Sequence, residues 1–303
     1  MSEMSTLSDS GFEEDLQTSP VNQWAVDSSI RLTSDWHEAE FKESCFLIQR
    51  QNELQFLVHN CLANQPQINP EARSRLVSWL IAVQRQLKLS FESCCLAVNI
   101  MDRFLITTSV ATDCFQLLGV TSLLIATKQV EVNVPRVREL LLLCCNSFTR
   151  QQLYNLECLI LLRLNFRLAA PTLAFFLDYF TSRTIHEYQS CGAGAAKNQN
   201  FNEKWKCLSC KVCEMSLADY TFNKYIPSVI VQCAIKLAKD LLKTQSKERT
   251  DSNNASSKTF DSFSFEDYPL HTCENQVLFQ QCTDELKLMV FLNQEAVQEF
   301  ISL

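Results

Sequence analysis

Glycine and proline are scarce in this 303-residue chain, at four and seven. A fold built from many short strands needs turn residues at short intervals, so this shortage argues against a sheet-rich protein and for helices. It also leaves no glycine-rich loop that could cradle a phosphate. The only histidines, His37, His59, His186 and His271, are scattered and form no catalytic constellation. Basic excess is missing too. The net charge is −7, poor for a general nucleic-acid binder that must contact phosphates with clustered Lys and Arg. The longest apolar stretches, around 117–127 and 140–145, fall far short of the roughly 20 residues that cross a bilayer. No membrane or nucleic-acid partner is expected.

Cysteine, by contrast, is abundant, at fifteen. The start, MSEMSTLSDSGFEED, is polar and acidic and does not read as a secretory leader. The thiols are therefore expected to be reduced and mostly to act as small core hydrophobes in a cytoplasmic or nuclear protein. CLSCKVC spaces Cys207, Cys210 and Cys213 by three, which could suggest zinc or an iron–sulfur cluster. Such sites generally want four ligands, and one cysteine-lined face of a packed helix fits better. No metal or cofactor is expected.

Helical periodicity then divides the chain. Residues 1–34 carry little of it and are expected to be disordered. A helix pattern covers Asp35 to Leu62, and Asn69–Pro70 opens the next one. A helix from Phe91 is apolar on most sides and capped by Ser90. Two more follow, then one from Thr149 with a Thr149–Gln152 capping box. Residues 35–168 thus form an N-terminal helix plus a five-helix unit, and 169–303 a second helical unit. In the latter, helices are expected near 205–219, 227–243 and 277–292. The polar stretch Ser182–Lys204 reads as a loop, and the run KTQSKERTDSNNASSKTFDS as mobile.

Four charges sit where hydrophobes are expected. Arg73 shares a helical face with Leu76, Val77 and Leu80, and Asp102 lies within the apolar helix. An inward Arg fork meeting that carboxylate would fix how two helices cross, while Arg103 suits an outward position. Lys128 continues the face of Leu117, Thr121 and Leu124, and Glu157 that of Leu153, Leu156, Ile160 and Leu164. They either pair structurally or form a polar spot in an apolar docking surface.

ARSRLVSWLIAVQRQLKLSFESCCLAVNIMDRFL resembles the first half of a cyclin box, and LLGVTSLLIATKQVE with NLECLILLRLNFRLAAPT its second half. LADYTFNKYIPSVI, Leu217–Ile230, extends the likeness weakly into the second unit. The resemblance implies an all-α fold of two tandem five-helix cyclin folds, with a cyclin-dependent protein kinase as partner and no catalytic group. It also implies that Arg73 and Asp102 are the internal ion pair of the box. Lys128 and Glu157 would then grip the kinase, with Ile125, Leu161, Phe166 and Leu168 as apolar interface positions. The substrate-docking patch of cell-cycle cyclins would fall on Ala72, Arg75, Leu76, Trp79 and Gln116. There Arg75 should repel basic Arg-x-Leu peptides. Lys128-Gln129-Val130-Glu131 departs from the family's usual aromatic after the lysine, which bears on kinase choice. Within the family, the wording of 88–137 is nearest to a branch tied to cilium formation in multiciliated cells. RELLLLCCN, Arg138–Asn146, formally matches a degradation signal, but its leucines read as core. A cyclin-fold transcription factor that binds DNA is the alternative, and an enzyme is less favoured.

Overall fold

A computed structural model describes residues 31–190, 195–248, 273–295 and 297. The chain divides into two compact units, Met1–Phe41 and Lys42–Leu303. In the first, Arg31–Phe41 is helical and begins a helix, α1, that spans Arg31–Phe56. The disorder expected for 1–34 lies, up to residue 30, outside the described residues, but 31–34 are helical.

Five helices follow: α2 (Pro70–Gln86), α3 (Phe91–Thr107), α4 (Thr112–Val130), α5 (Val137–Leu143) and α6 (Arg150–Arg163). Their starts follow from local chemistry. Asn69 accepts from the Ala72 amide at 2.8 Å with Pro70 at the first helical position, and Ser90 accepts from the Ser93 amide. Thr149 and Gln152 exchange a capping box. Between α1 and α2 the chain does not remain helical to Leu62. Instead it wraps the buried Gln65, whose amide donates to the carbonyls of Leu105 (2.6 Å) and Thr108 (2.8 Å) and accepts from the Val110 amide (3.0 Å).

The second half contains α7 (Leu173–Ser190), α8 (Ala195–Ala218), a 3₁₀ turn (Tyr220–Lys224), α9 (Pro227–Glu248) and α10 (Cys273–Leu292). No strand occurs among the described residues. The loop expected over Ser182–Lys204 is instead the end of α7 and the start of α8, with 191–194 outside the described residues. A polar composition does not break a helix when one face is buried. Phe176, Phe180 and Thr184 continue a buried stripe on α7, as do Trp205, Leu208 and Val212 on α8. Likewise α9 runs on through KTQSKE. The remainder of the stretch expected to be mobile lies outside the described residues.

Two hydrophobic cores result, one within α2–α6 and one within α7–α10. The helix α3 is apolar all round because it lies between them. Cys94 packs into the first core and Cys95 into the second. Residues Lys42–Phe56 of α1 join both halves. Phe46 stacks on Tyr179 at 4.2 Å and meets Phe176 and Phe180 edge-on, while the Phe56 carbonyl accepts from Asn99. Glu53, buried, accepts from the amide (2.6 Å) and hydroxyl (2.8 Å) of Ser228 and from Arg50, so it caps the first turn of α9. Burial holds its carboxyl above the ordinary value despite these donors. Glu53→Ala should leave buried donors unmet and lower stability by about 2 kcal/mol, readable as an earlier thermal melt.

Candidate functional site

Two ion pairs are built from the residues that the apolar pattern singles out, and they differ in setting. Arg73, on α2, and Asp102, on α3, meet as a fork: Nε to Oδ1 at 2.9 Å and Nη2 to Oδ2 at 2.6 Å, both side chains essentially buried. Burial alone would weaken the hold of Arg73 on its proton, but the Asp102 carboxylate outweighs it and raises the value. The second half completes the cluster. Asn223, in the 3₁₀ turn, donates to Asp102 Oδ2 at 3.1 Å and accepts from Arg73 at 3.2 Å. The carbonyls of Leu217 and Ala218 face the remaining guanidinium nitrogen at 3.3 and 3.4 Å. The Tyr220 ring lies 5.7 Å from the guanidinium carbon. Arg73 thus bridges both halves. Arg103 does not face freely outward: it packs over Phe56 at 4.8 Å and donates to the Arg167 carbonyl at 2.7 Å.

The other pair is on the surface. Lys128 emerges in the last turn of α4, where the buried face of Leu117, Thr121 and Leu124 reaches solvent. Its ammonium lies 2.6 Å from Glu157 Oε1 of α6, and the side chains are 48% and 12% exposed. Glu157 sits at the border of two stripes on α6. Leu153, Ile160 and Leu164 are buried in the first core with Leu161 half-buried against it, while Tyr154 and Leu162 are exposed. Leu162 and Phe166 are each 65% exposed, large apolar surfaces left in water at the C-terminal end of the helix that carries Glu157. Asn165 and Phe166 both take positive φ, 51° and 56°, as the chain turns out of α6. For a bulky residue such as Phe this conformation is costly, and here it presents the ring outward.

The interface positions implied by the resemblance do not all share that surface. Phe166 is exposed, and Leu161 and Leu168 are half-buried against the first core. Ile125 is 3% exposed and packed in the first core. Tyr154 and Leu162 were missed by the sequence reading, although their spacing of eight on α6 was there to be read.

The second expected patch is also changed by packing. Leu76 is core, pressed so closely on Gly119 that a Cβ there would come within 3.0 Å of it. Ala72, Trp79 and Gln116 are half-buried. Arg75 is exposed but held by Glu71 at 2.6 Å, which reduces the repulsion expected of a lone cation. Cys207, Cys210 and Cys213 pass from exposed to half-buried to buried along α8, and burial pushes the Cys210 thiol up to about 11. Among the described residues no three His, Cys, Asp or Glu side chains cluster as metal ligands. In the formal degradation signal, Leu141 is buried. Among the described residues no helix is long and apolar enough to cross a membrane.

Comparison with known proteins decides the family. Residues 44–169 match the cyclin N-terminal domain and residues 171–276 the cyclin C-terminal domain. The chain belongs to the cyclin family. This cyclin is 43% identical to Cyclin-O protein B of Xenopus laevis over 264 residues, 86% of this chain and 66% of that protein. It is 50% identical to Cyclin-O of Homo sapiens over 204 residues, 67% of this chain and 56% of that protein. It therefore spans somewhat over half to about two thirds of the length of these relatives. Among solved structures, a viral cyclin from herpesvirus saimiri shares the fold at a TM-score of 0.53 and 17% identity, covering 84% of this chain and 97% of that one.

Proposed function

We propose that this cyclin is the regulatory subunit of a cyclin-dependent serine/threonine protein kinase, docked through the face around Lys128 and Glu157. One observation carries the reading: an ion pair that joins α4 to α6 at the surface, with exposed apolar side chains, Leu162 and Phe166, at the end of the same α6. Such a surface gains little from water and much from a partner that desolvates it. The chain supplies no catalytic group. Docking would hold the kinase's mobile αC helix inward and so favour the conformation in which the kinase completes its Lys–Glu pair and orders its activation loop. Similarity to Cyclin-O, with the branch-level resemblance, supports a role in cilium formation in multiciliated cells within that kinase-activating activity.

The test is reconstitution. Purified cyclin-dependent kinase catalytic subunits are mixed one by one with the chain and run on size exclusion, then assayed for phosphotransfer to a serine peptide. At least one should form a stable heterodimer and gain about tenfold or more in rate, the size expected when a minor active conformation becomes the major one. No complex with any of them, together with retention on duplex DNA, would favour the transcription-factor reading.

A further inference from the structure

Next to the Lys128–Glu157 pair lies an open groove of about 480 Å³ whose walls carry three further cations, Arg136, Arg138 and Arg150. Its floor is apolar, with Leu124 beneath and the partly exposed Val134 and Tyr154 at its sides. The arginines are exposed, and among the described residues none is held in an ion pair. That is unusual in a chain of net charge −7.

The neighbouring acids form no ion pair with them, each accepting hydrogen bonds elsewhere. Between residues 130 and 150 there are only two, Glu131 and Glu139. Glu131 accepts from the Ser90 amide and from the hydroxyls of Ser90 and Ser93, closing the start of α3. Burial opposes its ionisation, but these donors outweigh it and hold the carboxyl below its ordinary value. Glu139 accepts from the Arg136 backbone amide at 3.1 Å, and Glu157 is taken by Lys128. The local acids thus stabilise helix ends and the surface pair, and three guanidinium groups are left facing one groove. Guanidinium forks suit carboxylates, and an apolar floor suits a side chain between them.

We infer that this groove receives a carboxylate-rich segment of the same kinase partner, one carrying an apolar side chain. Continuity selects that occupant: Lys128 and Tyr154 line the groove and also belong to the docking face, so a partner seated on the pair reaches the arginines. The inference rests on the proposed kinase docking and adds to it a charge-selective arm that favours kinases with an acidic segment at that edge.

The experiment uses the kinase that binds tightest in the reconstitution above. Its affinity for the full chain and for an R136E/R138E/R150E variant is measured by titration at low and high salt. At about 0.05 M salt the variant should bind roughly tenfold or more weakly, and at about 0.5 M the gap should shrink to within about twofold. An R136Q/R138Q/R150Q variant should fall between them, and it carries the comparison if circular dichroism shows the charge reversal to melt early. Unchanged affinity and salt dependence in both variants, with binding still lost in a Lys128→Ala/Glu157→Ala chain, would overturn the groove and leave kinase docking intact. Absence of kinase binding by the unaltered chain would overturn both. Loss of duplex-DNA retention in the variant, with kinase affinity unmoved, would reassign the arginines to nucleic acid.

Discussion

Asp102→Ala is expected to lower the stability of this cyclin by about 3–5 kcal/mol, the usual result of stranding one partner of a buried ion pair. Arg73 is 1% exposed and would keep its charge with no carboxylate beside it. What remains are the carbonyls of Leu217 and Ala218 at 3.3 and 3.4 Å and the Asn223 amide oxygen, all weaker acceptors. Because those groups belong to the second half, both halves should loosen together, as one earlier transition rather than the loss of the first half alone. For a chain of this size the midpoint should drop by roughly 5–8 °C. Arg103→Ala is the control. It removes a contact with Phe56 and one hydrogen bond, and should cost about 1 kcal/mol. Replacing Arg73 and Asp102 together with Leu should be milder than Asp102→Ala, because no charge is left buried. Differential scanning calorimetry on the three variants decides it, and an unshifted Asp102→Ala melt would remove the buried-pair account.

The second large effect is on binding. Changing Lys128 and Glu157 together to Ala should leave the melt almost unchanged, since Lys128 is half exposed and the pair lies at the edge of the first core. Kinase affinity should nonetheless fall by about 2–4 kcal/mol, roughly 30- to 1000-fold, as when a desolvated hot spot is truncated. A structural role for the pair makes the opposite forecast, with an early melt and binding reduced only as the folded fraction falls. Circular dichroism and kinase titration on one preparation separate the two. A folded double variant with undiminished kinase binding would move the docking site elsewhere on the molecule.

Much of this architecture was legible in the chain itself. Scarce breakers, helical periodicity and caps such as Asn69, Ser90 and Thr149 are local properties, governed by residues within one turn of each other. The inward position of Arg73 and the anomaly of Asp102 could also be read, because a charge on an apolar face must find a partner. Tertiary packing decided the rest. Asn223 joins that cluster from about 120 and 150 residues away, which no local spacing could announce. Composition made the end of α7 and the start of α8 look like a loop, yet both belong to helices whose cores are buried, at Phe176 and Phe180 on α7 and at Trp205 and Leu208 on α8. Ile125 and Leu76 carry the right residue type for a surface patch, but burial depends on which helix lies above them, and for Leu76 that is set by the missing side chain of Gly119. The three arginines of the groove stay out of ion pairs while Glu131 and Glu139 accept from backbone and hydroxyl donors, some of them on a helix 40 residues earlier in the chain. Sequence determines which residues are able to pair, and the fold determines which partners come within reach.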